Sequence, residues 1–239
     1  MHSLLQPLLD LLFPPFCASC EAPLGDGRQD PLCGSCWNGI LPITSPWCPA
    51  CGFPYPVGTG AFLCERCHRR PPPYAYARAA AYYCDPLRTA IHALKYRGKT
   101  ALATPLGRFM AEAGQRHLTL HEVHGLVPVP LHPTRLTERG FNQAALLARE
   151  LGRRWRIPVL ASLLRRVIPT QPQSELTEIA RRRNVRGAFA VWRPVAVKGR
   201  HVLLVDDIFT TGATAAECAR ALLEAGAETV GVFTLARVE

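Results

Sequence analysis

The sequence predicts an α/β protein: a largely parallel sheet with helices on both faces, preceded by a small cysteine-rich domain. Three observations predict it. Eight of the ten cysteines fall in four CxxC pairs, all at or before Cys67. After the triple proline Pro71–Pro73, apolar runs alternate with helical patterns. Within that second part, the apolar run Val202–Val205 ends on two acids, Asp206 and Asp207, and a Thr/Gly loop then opens into a helix.

Composition sets the frame. The chain has 239 residues, enough for one ordinary domain and a small one. Apolar residues are 48% of the total, so a sizeable core is affordable and wholesale disorder is excluded. The formal net charge is +10 and is carried almost entirely by arginine, since Lys95, Lys99 and Lys198 are the only lysines. Arginine suits bidentate phosphate contacts. The balance points to an anionic partner, nucleic acid or a polyphosphate, although charge alone also fits a basic protein with no such ligand. No apolar run is long enough to span a bilayer, so no membrane insertion is expected. Met1–Phe13 is apolar but lacks a basic leader region and is interrupted by Pro7 and Asp10. It reads as a short helix rather than a signal peptide, which implies a reducing cytoplasm.

The cysteines repeat. Cys17, Cys20, Cys33 and Cys36 recur 31 residues later as Cys48, Cys51, Cys64 and Cys67. The neighbours recur too: PFCASC matches PWCPAC, and LCGSC matches LCERC. Two thiolates spaced as CxxC reach one ion, and a second CxxC completes a tetrahedron with no open position. Each unit is too small to fold on apolar burial alone, so bound metal supplies folding energy. Zn²⁺ at two structural sites is the leading reading, ahead of an iron–sulfur centre or redox-active pairs. The repeat favours two sequential sites, but an interleaved cross-brace uses the same eight ligands. Trp37, Trp47, Phe53, Tyr55 and Phe62 either form the small cores of these units or offer surfaces for stacking on bases. Cys84 and Cys218 fit neither set and read as buried small residues.

The domains expected are residues 1–70, a stiff Pro-rich linker at 71–76, and 77–239. Ala77–Tyr83 reads as a strand. Asp85-Pro86 then looks like a cap and first position of a helix reaching Tyr96. A helix at Ala101–Gln115, a buried strand at Gly125–Val129 and a helix at Phe141–Trp155 follow. Ser174–Arg183 reads as a short helix, with strands at Gly187–Val191 and Val202–Val205. A helix at Ala213–Ala225 is closed by Gly226, and Thr229–Leu235 is the last strand.

His201–Thr214 (HVLLVDDIFTTGAT) carries the clearest chemistry. A helix N-terminus offers unpaired N–H groups and a positive dipole end to a phosphate. Gly212 allows close backbone approach, and Thr210, Thr211 and Thr214 add hydroxyl donors. Two carboxylates beside a phosphate need donors to face, and the vicinal hydroxyls of a ribose supply them. The stretch therefore reads as a site for a 5-phosphorylated ribose. Neither the GxxxxGK[ST] nor the GxGxxG phosphate loop is present.

Val202–Thr214 resembles the phosphoribosyl-pyrophosphate (PRPP) signature of type I phosphoribosyltransferases, with Phe209 bulkier than the aliphatic residue common there. Pro128–Leu147, Leu94–Gly98 and Thr170–Phe189, with Gln173, Leu176, Arg182 or Arg183, Asn184 and Phe189, are similar to segments of the ComF family. Members of that family carry double zinc ribbons ahead of a phosphoribosyltransferase domain. The resemblance implies that Asp206 and Asp207 are the catalytic acids that hold the ribose, directly or through Mg²⁺. It implies a 5-phosphate on Thr210, Thr211, Gly212, Ala213 and Thr214, and pyrophosphate on Arg135 and Arg139 of a loop at Leu131–Arg139. Ile168–Arg186 would be a mobile hood. Lys95 and Arg97 are weaker candidates for the same pocket.

Three readings of function follow. One is handling or uptake of single-stranded DNA in competence with PRPP as a bound ligand, which the resemblance favours and the basic charge supports. Another is an active transferase of pentosyl groups from PRPP. The last is a zinc-ribbon module recruiting a helicase-like partner.

Overall fold

A computed structural model of the chain describes residues 15–25, 30–169 and 178–239. The expected N-terminal helix, together with Gln173 and Leu176, lies outside these. The elements run α1 (Gly34–Asn38), α2 (Glu65–Arg69), β1 (Tyr76–Tyr82), α3 (Leu87–Tyr96), α4 (Ala103–His117), β2 (Gly125–Pro128), α5 (Pro133–Arg139) and α6 (Gln143–Trp155). They continue with β3 (Leu164–Arg166), α7 (Glu178–Val185), β4 (Phe189–Val191), β5 (His201–Phe209), α8 (Ala213–Glu224) and β6 (Thr229–Arg237).

Four strands form one parallel sheet in the order β1-β6-β5-β2, and β3 and β4 make a separate antiparallel hairpin. The period of two along the central strands divides the interior into two cores. Leu203 and Val205 of β5, with Phe233 and Leu235 of β6, face α4 and α6 through Met110, Leu147 and Leu151. Val202, Leu204, Val230 and Val232 face α8 and the hairpin through Cys218, Leu222, Leu164 and Phe189. Continuous apolar runs are what a sheet covered on both faces requires.

Three expectations need correction. β5 does not stop at Val205 but continues to Phe209, so both acids lie within the strand, held by pairing with β6 as far as Phe209↔Arg237. The segment expected as a loop at Leu131–Arg139 is largely the helix α5, because Pro133 suits its first turn and His132 caps Thr134 N through its side chain. Cys84 is half-buried rather than buried, whereas Cys218 is fully enclosed. Elsewhere boundaries shift by a few residues, as at α3, which starts at Leu87 with Pro86 in the capping place.

The cysteine-rich units are built into this body. Cys17, Ala18, Leu32, Cys36 and Ile40 share one core with Leu87 and Ile91 of α3. The chain between the units lies antiparallel along the outer edge of β1, where Tyr82 N donates to Leu41 O at 2.9 Å and Ile43 N to Ala80 O at 3.1 Å. An exposed strand edge is thereby covered. Among the described residues, no helix is long and apolar enough to cross a membrane.

Candidate functional site

The eight knuckle cysteines form two groups, Cys17/Cys20/Cys33/Cys36 and Cys48/Cys51/Cys64/Cys67, each with all its sulfurs within 4.8 Å of one another. The pairing is sequential, and the cross-brace is excluded. Four sulfurs set ~2.3 Å from one ion stand about 3.8 Å apart. Cys17 and Cys36 are 3.7 Å apart, and Cys20/Cys33 and Cys51/Cys64 are each 3.6 Å apart. A disulfide needs ~2.05 Å, and an iron–sulfur cluster, which places its own sulfides between the ligands, needs wider spacing. The geometry fits one Zn²⁺ per group. Backbone N–H groups support the sulfurs in the same way in both, with Cys33 N to Cys17 Sγ at 3.3 Å and Cys64 N to Cys48 Sγ at 3.4 Å.

The aromatic residues of these units turn largely inward. Trp37 donates from Nε1 to Asp30 Oδ1 at 3.0 Å and packs on Phe109 of α4. Trp47 meets the edge of His117 at 4.8 Å. Tyr55 is sandwiched between Phe53 and Phe62, of which Phe62 remains 52% exposed.

The second constellation lies at the carboxyl ends of the parallel strands, where ligands of such sheets bind. Asp207 is buried and its Oδ2 meets Lys95 Nζ of α3 at 2.5 Å. Burial opposes the Lys95 charge, but Asp207 and then Asp206 outweigh it and hold its pKa above the ordinary lysine value. Asp206 is partly exposed and accepts the Asp207 N–H at 2.9 Å. Burial, reinforced by the adjacent Asp207 charge, pushes its pKa well above the usual carboxylate range. The two acids therefore differ: Asp207 is buried in an ion pair with Lys95, and Asp206 is partly exposed.

After Phe209 the chain turns through Thr210 and Thr211 into α8. Gly212 takes the left-handed conformation there, with φ +76. A Cβ at this position would stand 2.6 Å from the Phe209 ring and 3.1 Å from the Tyr74 hydroxyl. The bulk of Phe209 thus makes glycine obligatory at the tip of the loop. Thr211 Oγ1 accepts from Ala213 N at 3.4 Å at the N-terminal end of the 12-residue α8.

Arg135 and Arg139 project from α5 one turn apart. Arg135 pairs with Glu138 at 3.4 Å and is exposed. Arg139 donates to Gln143 Oε1 at 2.7 Å and lies 5.2 Å over the Tyr96 ring, next to Lys95. Arg97 turns away from the acids and pairs with Glu21 at 3.2 Å. Of the charge run Arg181–Arg183, the backbone lies on α7 and the Arg183 side chain is exposed.

Sequence reasoning missed four residues. Arg166 of β3 is partly buried, and although burial lowers its pKa, the charge of Asp206 pulls it the other way. Arg66 Nη1 donates to Thr211 O at 3.3 Å. Tyr74 and Arg237 flank Phe209, the guanidinium 4.8 Å over its ring. Arg66 had a signal available, because the equivalent position in the first repeat is Ser35. Arg237, an ion ending a buried strand, had a weaker one. Neither of two further clefts is lined by the acids. One, of about 740 Å³, lies between α5, α6 and β3; the other, of about 640 Å³, between α2, the prolines and α8.

Residues 8–68 match the double zinc ribbon domain model, and residues 137–239 match the phosphoribosyl transferase domain model. The chain is 36% identical to the DNA utilization protein YhgH of Escherichia coli O157:H7 over 95% of its own length and 99% of that protein. It is 31% identical to competence protein F of Haemophilus influenzae, covering 92% of this chain and 96% of the relative. Competence protein ComFC of Bacillus subtilis is 33% identical, with 87% and 85% covered. With both modules matched and near-full-length similarity on either side of the linker, the chain belongs to the ComF family.

Proposed function

We propose that this protein binds PRPP with Mg²⁺ at the β5–α8 junction and acts in the handling of single-stranded DNA. One observation carries the first part: two acids in the last half of β5, one paired with Lys95 and one partly exposed, are followed within a few residues by a glycine-tipped loop at a helix N-terminus. A ribose donates its hydroxyls to Asp206, and Lys95 pairs with Asp207 and orients it behind Asp206. The N-terminal end of α8, with Thr210, Thr211 and Thr214, receives the 5-phosphate. Arg135 and Arg139 attract the diphosphate. The oxygen donors of Asp206 and Asp207 fit Mg²⁺, whose contribution when bound is to neutralise diphosphate charge.

Group transfer from this pose would break the bond between C1 and the pyrophosphate oxygen. The electron pair leaves on pyrophosphate, and an acceptor lone pair forms the new bond to C1. The DNA reading rests on the basic balance and on relatives named for DNA utilization and competence. It is supported by the larger cleft, whose lining includes Arg149, Arg165 and Arg166 and, among the described residues, no acidic one. Arg165 covers the exposed ring of Trp192 at 4.1 Å, an arrangement suited to base stacking beside phosphate contacts. The free thiol clusters suit a reducing compartment, the cytoplasm.

Calorimetric titration of PRPP–Mg²⁺ into the zinc-loaded protein, with and without a single-stranded oligonucleotide, tests both parts. Micromolar binding is expected, lost in Asp206→Asn and in Asp207→Asn with the fold intact. Wild-type affinity in both variants overturns the site. Oligonucleotide affinity should fall steeply with salt, and Arg149→Ala with Arg165→Ala should flatten that slope. A salt-independent interaction, or none, sinks the DNA reading.

A further inference from the structure

Two arginines connect the second cysteine group to the loop that follows β5. Arg66 sits in the second knuckle of that group, between Cys64 and Cys67. Its Nη1 donates to Thr211 O at 3.3 Å. Arg237, only 3% exposed, approaches from the sheet. Its Nη1 donates to Cys51 O at 2.6 Å, and its Nη2 lies 4.0 Å from Cys51 Sγ. The same guanidinium lies on the Phe209 ring, against which Gly212 is closely packed. The second cysteine group therefore holds the loop twice: Arg66, from within a knuckle, holds its carbonyl, and Arg237, which grips Cys51, holds the aromatic ring at its root.

The chemistry of the contacts gives the link a direction. Four thiolates around Zn²⁺ carry a net negative charge, for which Arg66 and Arg237 are the adjacent counter-charges. A guanidinium buried as deeply as Arg237 is costly without such a partner. Tyr74 reaches Gly212 from the end of the proline run Pro71–Pro73, which also leaves this module. We propose that the second zinc site is a structural part of the phosphate site: through Arg66 and Arg237, metal held by Cys48, Cys51, Cys64 and Cys67 fixes the loop Thr210–Ala213 in its anion-binding form. Arg66 is a positioning residue, and its role here rests on the PRPP reading given above for the ligand, though not for the contact itself.

Two measurements on the full zinc-loaded chain test this: amide hydrogen exchange at Thr211–Ala213, and PRPP–Mg²⁺ affinity. In Arg66→Ala the loop amides should exchange several-fold faster and affinity should fall roughly tenfold, as expected for loss of a charged hydrogen bond, with Tm little changed. Arg66→Lys should restore part of both. Cys64→Ser, with zinc content showing one ion retained, should reproduce the Arg66→Ala result, whereas Arg108→Ala, on the side of the first module, should change neither quantity. Wild-type exchange at Thr211–Ala213 in both Arg66→Ala and Cys64→Ser overturns the proposal. If the wild-type chain does not bind PRPP, the ligand reading falls, and the exchange measurement still decides the positioning role.

Discussion

The two cysteine modules are the same small structure placed in different company. Cys17 N donates to Ala22 O and Cys48 N to Phe53 O, both at 2.8 Å; Leu24 N reaches Pro15 O at 2.7 Å and Tyr55 N reaches Pro46 O at 2.8 Å. Each first knuckle ends in a left-handed residue, Glu21 with φ 61 and Gly52 with φ 70. The neighbours are what differ. The first module contributes to the main core with α3 and attaches through Ser19 to Pro86 O, Glu21 to Arg97 and Asp30 to Arg108. The second keeps a tiny core of its own cysteines and reaches the sheet and the loop through hydrogen bonds, with Ala77 N on Ala50 O at 2.8 Å and Arg78 Nη1 on Pro49 O at 3.0 Å. One copy of a duplicated unit has become foundation and the other has become a support for chemistry.

That contrast can be broken or sharpened in steps of decreasing effect. Cys17→Ser should be the most damaging change, costing several kcal/mol of stability, because metal energy and the shared core are lost together. Thermal unfolding should show a far larger drop than for Cys64→Ser, and equal drops would erase the distinction. Gly52→Ala comes next: its Cβ would lie 2.3 Å from Ala77 O in a left-handed residue, so a cost of about 2–3 kcal/mol is expected by denaturant titration. The counterpart Glu21→Ala, already a non-glycine residue at positive φ, should cost about 1 kcal/mol or less. The smallest effect belongs to Arg97→Ala. Its pair with Glu21 is exposed on both sides, so stability should change by about 0.5 kcal/mol or less and PRPP affinity should hold. A large loss of affinity would mean that Arg97 does serve the pocket.

The duplication, the parallel sheet and the strand–acids–loop–helix unit were all legible in the sequence, because each is written in local spacing: CxxC, an apolar run of four, Gly and Thr before a helix. What escaped depended on chain segments that meet only after folding. Lys95 neutralises Asp207 from a helix far back in the chain, and nothing around LKYRG ranks it above Arg97. Arg166 ends the three-residue β3 and Arg237 the nine-residue β6, and an arginine in that place reads as an ordinary exit to solvent. The length of β5 was misjudged for a related reason, since acids normally end a strand but here β6 pairs past them. The helix at Pro133–Arg139 was hidden by Pro130 and Pro133 around its start and by its polarity. Reading one repeat against the other would have recovered more, because Ser35 against Arg66 and Glu21 against Gly52 mark where the copies meet different surroundings.

The strand order carries a consequence for how the molecule comes into being. β6, the last strand described, lies between β1 and β5, and Tyr76 pairs with Gly231 while Leu204 pairs with Val232. During synthesis both metal modules and β1 leave the ribosome long before β6 exists. Until it arrives, the inner edge of β1 has no neighbour, and only its outer edge is covered by the Leu41–Ile43 segment. Arg237, at the end of β6, is among the last residues of the site to be made. Nascent chains can therefore load zinc early, but the sheet and the loop beside it close in a single late, long-range step, which makes folding slow for a protein of this size.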